Sequence, residues 1–282
     1  MLDIGISTGL FYHKNIIYYL EKIKNAGFEN VELWAGASGW GKETHFDYND
    51  EEVLLNVKNQ LRLLKINVSS INAPFSEMLD ISSLGEMQRG IAVSEVKKAV
   101  IMCEFFKAPF LVVHPSVKSA QLTDVNVVKK KMEQIKKSIG EIAENAMMHK
   151  VKIALENPAP HLLGGWSSDL LEMLGDFPKE SVGVCFDVGH ANLIRDPSAY
   201  LKDVSGRLLT LHISDNDGTY SAHLIPGEGK IKWNELGKAL ADAQFEGVFM
   251  LEVLGGARYN DPDDVLARSY KNAVKILKGV RL

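Results

Sequence analysis

The chain has 282 residues, 46% hydrophobic and 24% charged, with 32 Lys and Arg against 36 Asp and Glu for a formal net charge of −4. So much apolar material excludes a disordered or fibrous chain, and the acidic balance gives no pull on a phosphate backbone. The two cysteines, Cys103 and Cys185, form no CxxC pair, which excludes a disulfide scaffold and a cysteine-built zinc knuckle.

The opening Met1-Leu2-Asp3-Ile4-Gly5 carries an early acid rather than a basic-then-apolar leader, and no apolar run approaches the roughly 18 residues of a membrane span. A cytoplasmic protein with no membrane partner is expected. From there, short apolar runs alternate with amphipathic stretches, and the runs are too short for anything but buried strands. In chain order the predicted strands are Ile4–Ser7, Val31–Trp34, Ile66–Ile71, Phe110–His114, Val151–Glu156, Val182–Asp187, Leu208–Ile213 and Val248–Val253.

Helical spacing fills the gaps. Ile16, Leu20 and Ile23 run to a stop at Gly27; Leu54, Val57, Leu61 and Leu64 follow; then Val93, Val96, Val100 and Cys103. Met132, Ile135, Ile139, Ile142 and Ala146 form the longest pattern, and Leu266, Tyr270, Ala273 and Leu277 the last, opened by Asp261-Pro262. Shorter helices are expected after Ser168, around Ser198–Val204 and after Trp233. Eight strand–helix units with no linker or composition shift predict a single (β/α)8 TIM barrel over residues 1–282, in preference to an open doubly wound sheet. The first strand–helix turn, Ser7-Thr8-Gly9-Leu10, has no GxGxxG and argues against dinucleotide binding.

Several apolar runs stop abruptly in a carboxylate or an imidazole: Val113-His114, Leu155-Glu156, Phe186-Asp187, Leu211-His212 and Leu251-Glu252. In a parallel barrel all C-terminal strand ends reach one rim, so Glu156, Asp187, His212 and Glu252 are expected to meet. Three carboxylates at an apolar-walled rim repel one another unless a cation neutralises them. Oxygen donors with one imidazole nitrogen suit a single divalent ion, Mn²⁺, Mg²⁺, Co²⁺, Fe²⁺ or Zn²⁺.

The stretches Ala154-Leu155-Glu156-Asn157, Phe186-Asp187-Val188-Gly189-His190-Ala191, Leu211-His212-Ile213-Ser214-Asp215, Pro226-Gly227-Glu228-Gly229 and Leu251-Glu252-Val253 resemble the xylose-isomerase-like superfamily of sugar isomerases and epimerases. The opening Ile4-Gly5-Ile6-Ser7 and Gly27-Phe28-Glu29-Asn30-Val31-Glu32-Leu33 resemble its first two strands, so the likeness runs nearly full length. It implies that Glu156, Asp187, His212 and Glu252 hold one catalytic metal ion, and that His190 contacts substrate. The substrate is then a small sugar or polyol, and homo-oligomeric assembly is left open.

The same superfamily contains metal-dependent apurinic-site endonucleases, which add histidines and aspartates around the rim. His114 and His223 occupy such places, but β-strand three ends in Ile71-Asn72-Ala73-Pro74 without a histidine, and Ser221 stands where an aspartate belongs. With an acidic net charge and no basic, aromatic-interleaved segment, no nucleic-acid partner is expected. His114 and His223 are read instead as substrate contacts.

The chemistry so implied is isomerisation or epimerisation by proton transfer next to a carbonyl, through an enediolate. Glu156 and Glu252 serve as the catalytic pair on two faces of the substrate. Elimination of water from a keto-polyol is the alternative on the same site. Alternation puts Glu32 and Trp34 on one side of their strand, with Glu32 a further substrate contact, and Trp166 in Gly164-Gly165-Trp166-Ser167 is placed to cover a sugar face. Gly227-Glu228-Gly229-Lys230 lacks the phosphate-loop spacing and reads as a tight turn. Lys129-Lys130-Lys131 and Lys136-Lys137 read as a solvated helix face, and Cys185 as a small buried thiol pointing inward.

Overall fold

The computed structural model describes residues 2–12, 14–35, 45–117, 124–175, 177–254 and 261–280. Its strands are β1 (Ile4–Ser7), β2 (Asn30–Trp34), β3 (Asn67–Asn72), β4 (Phe110–Val113), β5 (Lys152–Glu156), β6 (Val182–Asp187), β7 (Leu208–His212) and β8 (Phe249–Leu251). Helices α1 (Ile17–Asn25), α2 (Glu51–Leu64), α3 (Glu86–Phe106), α4 (Val125–Met148), α5 (Ser167–Leu174), α6 (Val188–Asn192), α7 (Pro197–Val204), α8 (Trp233–Asp242) and α9 (Pro262–Val280) lie between and after them. All ladders are parallel, in the order β7-β6-β5-β4-β3-β2-β1-β8. A single bridge, Ile213 to Leu251, with hydrogen bonds from Ile213 to Met250 (2.8 Å) and from Glu252 to Ile213 (2.9 Å), joins β7 to β8 and closes the ring. The architecture is the expected (β/α)8 barrel.

Strands that are covered by helices outside and filled inside read as unbroken apolar runs, which is why β1, β2 and β6 are buried at every position. The outward faces join the helices in one large core. The inward faces build a separate cluster of Val112, Ala154 and Cys185 beneath the C-terminal rim. Gly5 faces the same interior. A Cβ there would stand 2.6 Å from Met250 Cε, so its absence lets the fully buried Met250 fill the barrel. The Cys185 thiol is buried as expected, and burial pushes its pKa upward, away from nucleophilic use.

Helix ends are specified locally. Asp50 accepts from Glu52 and Val53 to cap α2, Asp124 from Asn126 and Val127 to cap α4, and Asp196 from Ser198 ahead of Pro197 in α7; each such cap is worth about 1 kcal/mol. Boundaries shift by a residue or two from expectation, because ladder hydrogen bonds rather than hydropathy end a strand. His114 and Glu252 lie just past β4 and β8, and β8 is only 3 residues long. Three short elements carry no periodic signature and escape prediction: 3-10 turns at Thr8–Phe11 and Ser205–Arg207, and α6, which begins directly after Asp187.

Candidate active site

Glu156, Asp187 and His212 are the last residues of β5, β6 and β7, and Glu252 follows β8. Each offers one ligand-type atom, and these atoms lie within 4.8 Å of one another. All four side chains are buried. Glu156 Oε1 and Oε2, Asp187 Oδ2, His212 Nδ1 and Glu252 Oε2 nevertheless lack a hydrogen-bond partner. Unpaired buried polar atoms cost about 1–3 kcal/mol each, more when charged, so five at one point call for a ligand.

The tautomer of His212 says what kind of ligand. Its Nε2 lies 2.9 Å from Glu32 Oε2, which also accepts from Ser70 Oγ at 2.7 Å. Nε2 therefore carries the hydrogen, and Nδ1 turns a lone pair towards Glu156 Oε2 at 3.2 Å and Glu252 Oε2 at 3.5 Å. Lone pair facing carboxylate oxygen is repulsive unless a cation or a proton stands between. A divalent ion fits this donor set of three carboxylates and one imidazole.

Without an ion, a proton on His212 Nδ1 takes the cation's place. Burial works against charge on His212, but the carboxylates of Glu252, Glu32 and Glu156 outweigh it and hold the imidazolium well above its ordinary value. Burial also works against an ionised Glu156, yet His114 and His212, with His190 close by, keep it well below the usual carboxylate range. Glu252 goes the other way. Burial and the nearby Glu156, Asp187 and Glu32 push it well above, with only His212 opposing.

Asn157, next to Glu156, clamps the adjoining strand. Its amide takes the Asp187 N–H at 2.7 Å and donates to the Asp187 carbonyl at 2.8 Å, as a neighbouring strand would. Its own carbonyl accepts from His190 Nδ1 at 3.0 Å, which leaves the His190 Nε2 edge for a ligand. Asp187 Oδ1 caps α6 by accepting from the His190 backbone N–H at 2.5 Å. His190 Nδ1 also lies 3.5 Å from Glu156 Oε1 and from Asp187 Oδ2. Burial opposes charge on His190, but Asp187 and Glu156 raise its pKa to about 9.

His114 and His223 complete the ring of imidazoles. His114 Nε2 is 3.3 Å from Glu156 Oε2, and its ring tilts over Phe75 at 4.0 Å. His223 donates Nδ1–H to the Glu252 carbonyl at 3.1 Å and meets His190 edge-on at 5.5 Å. Burial lowers both pKa values and favours neutral rings. The loop bearing His223 is anchored by the buried Asp215 carboxylate, which accepts from Gly227 N (2.8 Å), Ile231 N (3.2 Å) and Trp233 Nε1 (3.1 Å). Gly227 has φ +90°, the tight turn expected there, and a Cβ on Gly229 would collide with Asp215.

Of the nine site residues expected from sequence, eight converge. Glu32 is among them, though fully buried behind His212 instead of exposed to a substrate. Trp166 stands apart at the start of α5 on the same rim, 51% exposed. Sequence reasoning passed over Asn157, Ser70 and Asp215. Ser70 had a signal, since a polar residue in phase with the inward face of β3 has to meet something polar inside the barrel.

The profile of the xylose isomerase-like TIM barrel family matches residues 20–274. The chain belongs to that family. Among its relatives, fructoselysine 3-epimerase of Shigella flexneri is 23% identical over 230 residues, 81% of either chain. Two solved structures share the fold over 99% of this chain and 98% of their own. One, a D-tagatose 3-epimerase-like protein, has a TM-score of 0.85 at 24% identity. The other, D-psicose 3-epimerase of Clostridium cellulolyticum H10 with D-tagatose, has a TM-score of 0.77 at 20% identity. In this xylose isomerase-like barrel, the convergent rim is the face on which (β/α)8 enzymes act.

Proposed function

We propose that the chain is a divalent-metal-dependent sugar epimerase that moves a proton at a carbon next to the carbonyl of a ketose. The convergence of Glu156, Asp187, His212 and Glu252, with five buried atoms that have no hydrogen-bond partner among the described residues, carries this reading. The 3-epimerase names of the fructoselysine, D-tagatose-like and D-psicose relatives support the reaction class.

Glu156, Asp187, His212 and Glu252 would hold the ion. Bound there, it supplies Lewis-acid stabilisation for negative charge on the carbonyl oxygen, worth several kcal/mol of barrier. Glu156 and Glu252 come from opposite flanks of the cluster, β5 and β8, so one can take a proton from one face of the substrate while the other returns one to the opposite face. The handedness of the substrate decides which begins. His190, held at Nδ1 by Asn157, presents Nε2 to a substrate oxygen. Glu32 is reassigned from substrate contact to orienting group: it fixes the His212 tautomer that points Nδ1 at the ion.

Incubation of the metal-loaded protein with a ketose panel in heavy water tests the reading. Epimer formation with deuterium at the carbon next to the carbonyl is expected, and Glu156→Gln or Glu252→Gln lowers the rate by at least about 10²–10⁴-fold. His190→Ala raises KM more than it lowers kcat. Full activity in either glutamate variant, or turnover without solvent exchange, overturns the mechanism.

A further inference from the structure

Asn72 ends β3 and is fully buried, yet neither its amide oxygen nor its amide nitrogen has a hydrogen-bond partner among the described residues. Register shows where it points. Ser7 pairs with Glu32 and Glu32 with Ser70; Asn72 pairs with Val112 and Val112 with Ala154; Glu156 pairs with Cys185 and Cys185 with Thr210. Two strands along these pairs and two residues towards the rim lead from Ser7 to Asn72, from Asn72 to Glu156, and from Glu156 to His212. The bridge beside His212 and Met250, with Met250 paired to Gly5, returns the path to Ser7.

Ser7, Asn72, Glu156 and His212 thus form one inward-facing layer drawn from alternate strands. Asn72 shares that layer with two members of the ligand cluster. In a ring of eight, β3 stands across the mouth from β7, so Asn72 faces His212 from the far side. Aromatic rings line the mouth beside it. Trp34 is its partner on β2, Phe75 meets Trp34 edge-on at 6.1 Å, and His114 lies over Phe75.

A buried amide with both groups unmet carries a desolvation cost that an apolar residue of the same shape avoids. The group that satisfies an amide's donor and acceptor together is a hydroxyl, itself both donor and acceptor. Aromatic neighbours suit the C–H face of a sugar. We propose that Asn72 is a specificity-determining residue whose amide holds one hydroxyl of a polyhydroxy ketone, at the end of the substrate away from the carbon that exchanges its proton. This rests on the epimerase reading above.

Turnover of the preferred ketose and of its mono-deoxy analogues by the metal-loaded parent and by Asn72→Leu tests the assignment, alongside calorimetric metal affinity. The parent is expected to disfavour one deoxy analogue by about 10–100-fold in kcat/KM, because that analogue leaves the amide unpaired. Asn72→Leu treats that analogue and the full ketose alike to within about twofold, with metal affinity unchanged. Parent-like discrimination in the variant overturns the assignment, as does a tenfold or greater loss of metal affinity, on the order of 1.4 kcal/mol, which would make Asn72 a ligand. If Asn72→Leu fails to fold, Asn72→Ala is read by the same ratio. A parent that neither exchanges nor binds any ketose overturns the epimerase reading and this one together, whereas parent activity with an unchanged ratio overturns this one alone.

Discussion

His212 donates Nε2–H to Glu32, so a carboxylate buried behind the ring decides that Nδ1 is the nitrogen turned towards Glu156 and Glu252, where an ion would bind. Alternation along β2 was enough to send Glu32 inward. Sequence could not reveal its partner, because His212 lies 180 residues away and the 2.9 Å contact exists only once the barrel has closed. Glu32→Gln keeps the shape but offers an amide that can flip its donor towards Nε2 and favour the wrong tautomer. Metal affinity measured by calorimetry is expected to fall about 10–100-fold, with little loss of helical signal. Unchanged affinity would remove Glu32 from the centre's support.

At the scale of elements, Asp187 serves as strand end, cap of α6 and candidate ligand at once. The strand end was legible as Phe186-Asp187, and the five-residue helix was not, since a single turn has no periodicity to read. Longer helices were legible in their apolar stripes but not in their polar ties. Arg89 of α3 is buried and donates to Glu86 (2.6 Å) and Ser138 (3.1 Å) and to Glu141 (2.8 Å), the last two on α4. Lys137 reaches Glu86 from α4 at 2.6 Å. Hydrogen bonds from Arg89 and then Lys137 lower the Glu86 pKa from 4.5 to about 2. A carboxyl with a folded value below its unfolded one adds stability above the unfolded value, and that stability is lost as pH falls from 4.5 through about 2. Thermal melts of Glu86→Gln should therefore lie below the parent at pH 6 and converge with it in that acid window. A constant gap across the window would mean the tie is not electrostatic.

For the whole molecule, the barrel holds its site at a standing cost, with three carboxylates and Glu32 crowded against one imidazole. An ion that binds the folded chain and not the unfolded one stabilises it by about 2.7 kcal/mol at a hundred times Kd, a shift on the order of 5 °C in Tm for a chain of this size. Chelator-treated protein is expected to melt lower by that amount and to recover on addition of a divalent ion. An identical Tm with and without metal would count against the centre.

Apolar periodicity alone determined the eight strand–helix units and, through the rule that parallel strands end on one rim, the meeting of Glu156, Asp187, His212 and Glu252. Both are consequences of local pattern plus one topological constraint, and such information is written residue by residue along the chain. Which nitrogen of His212 faces the carboxylate cluster, the clamp of Asn157 on Asp187, and the unpaired amide of Asn72 were decided only by tertiary structure. Each depends on stagger between strands far apart in sequence, and a shift of one residue in that register would turn every one of these side chains to the opposite face.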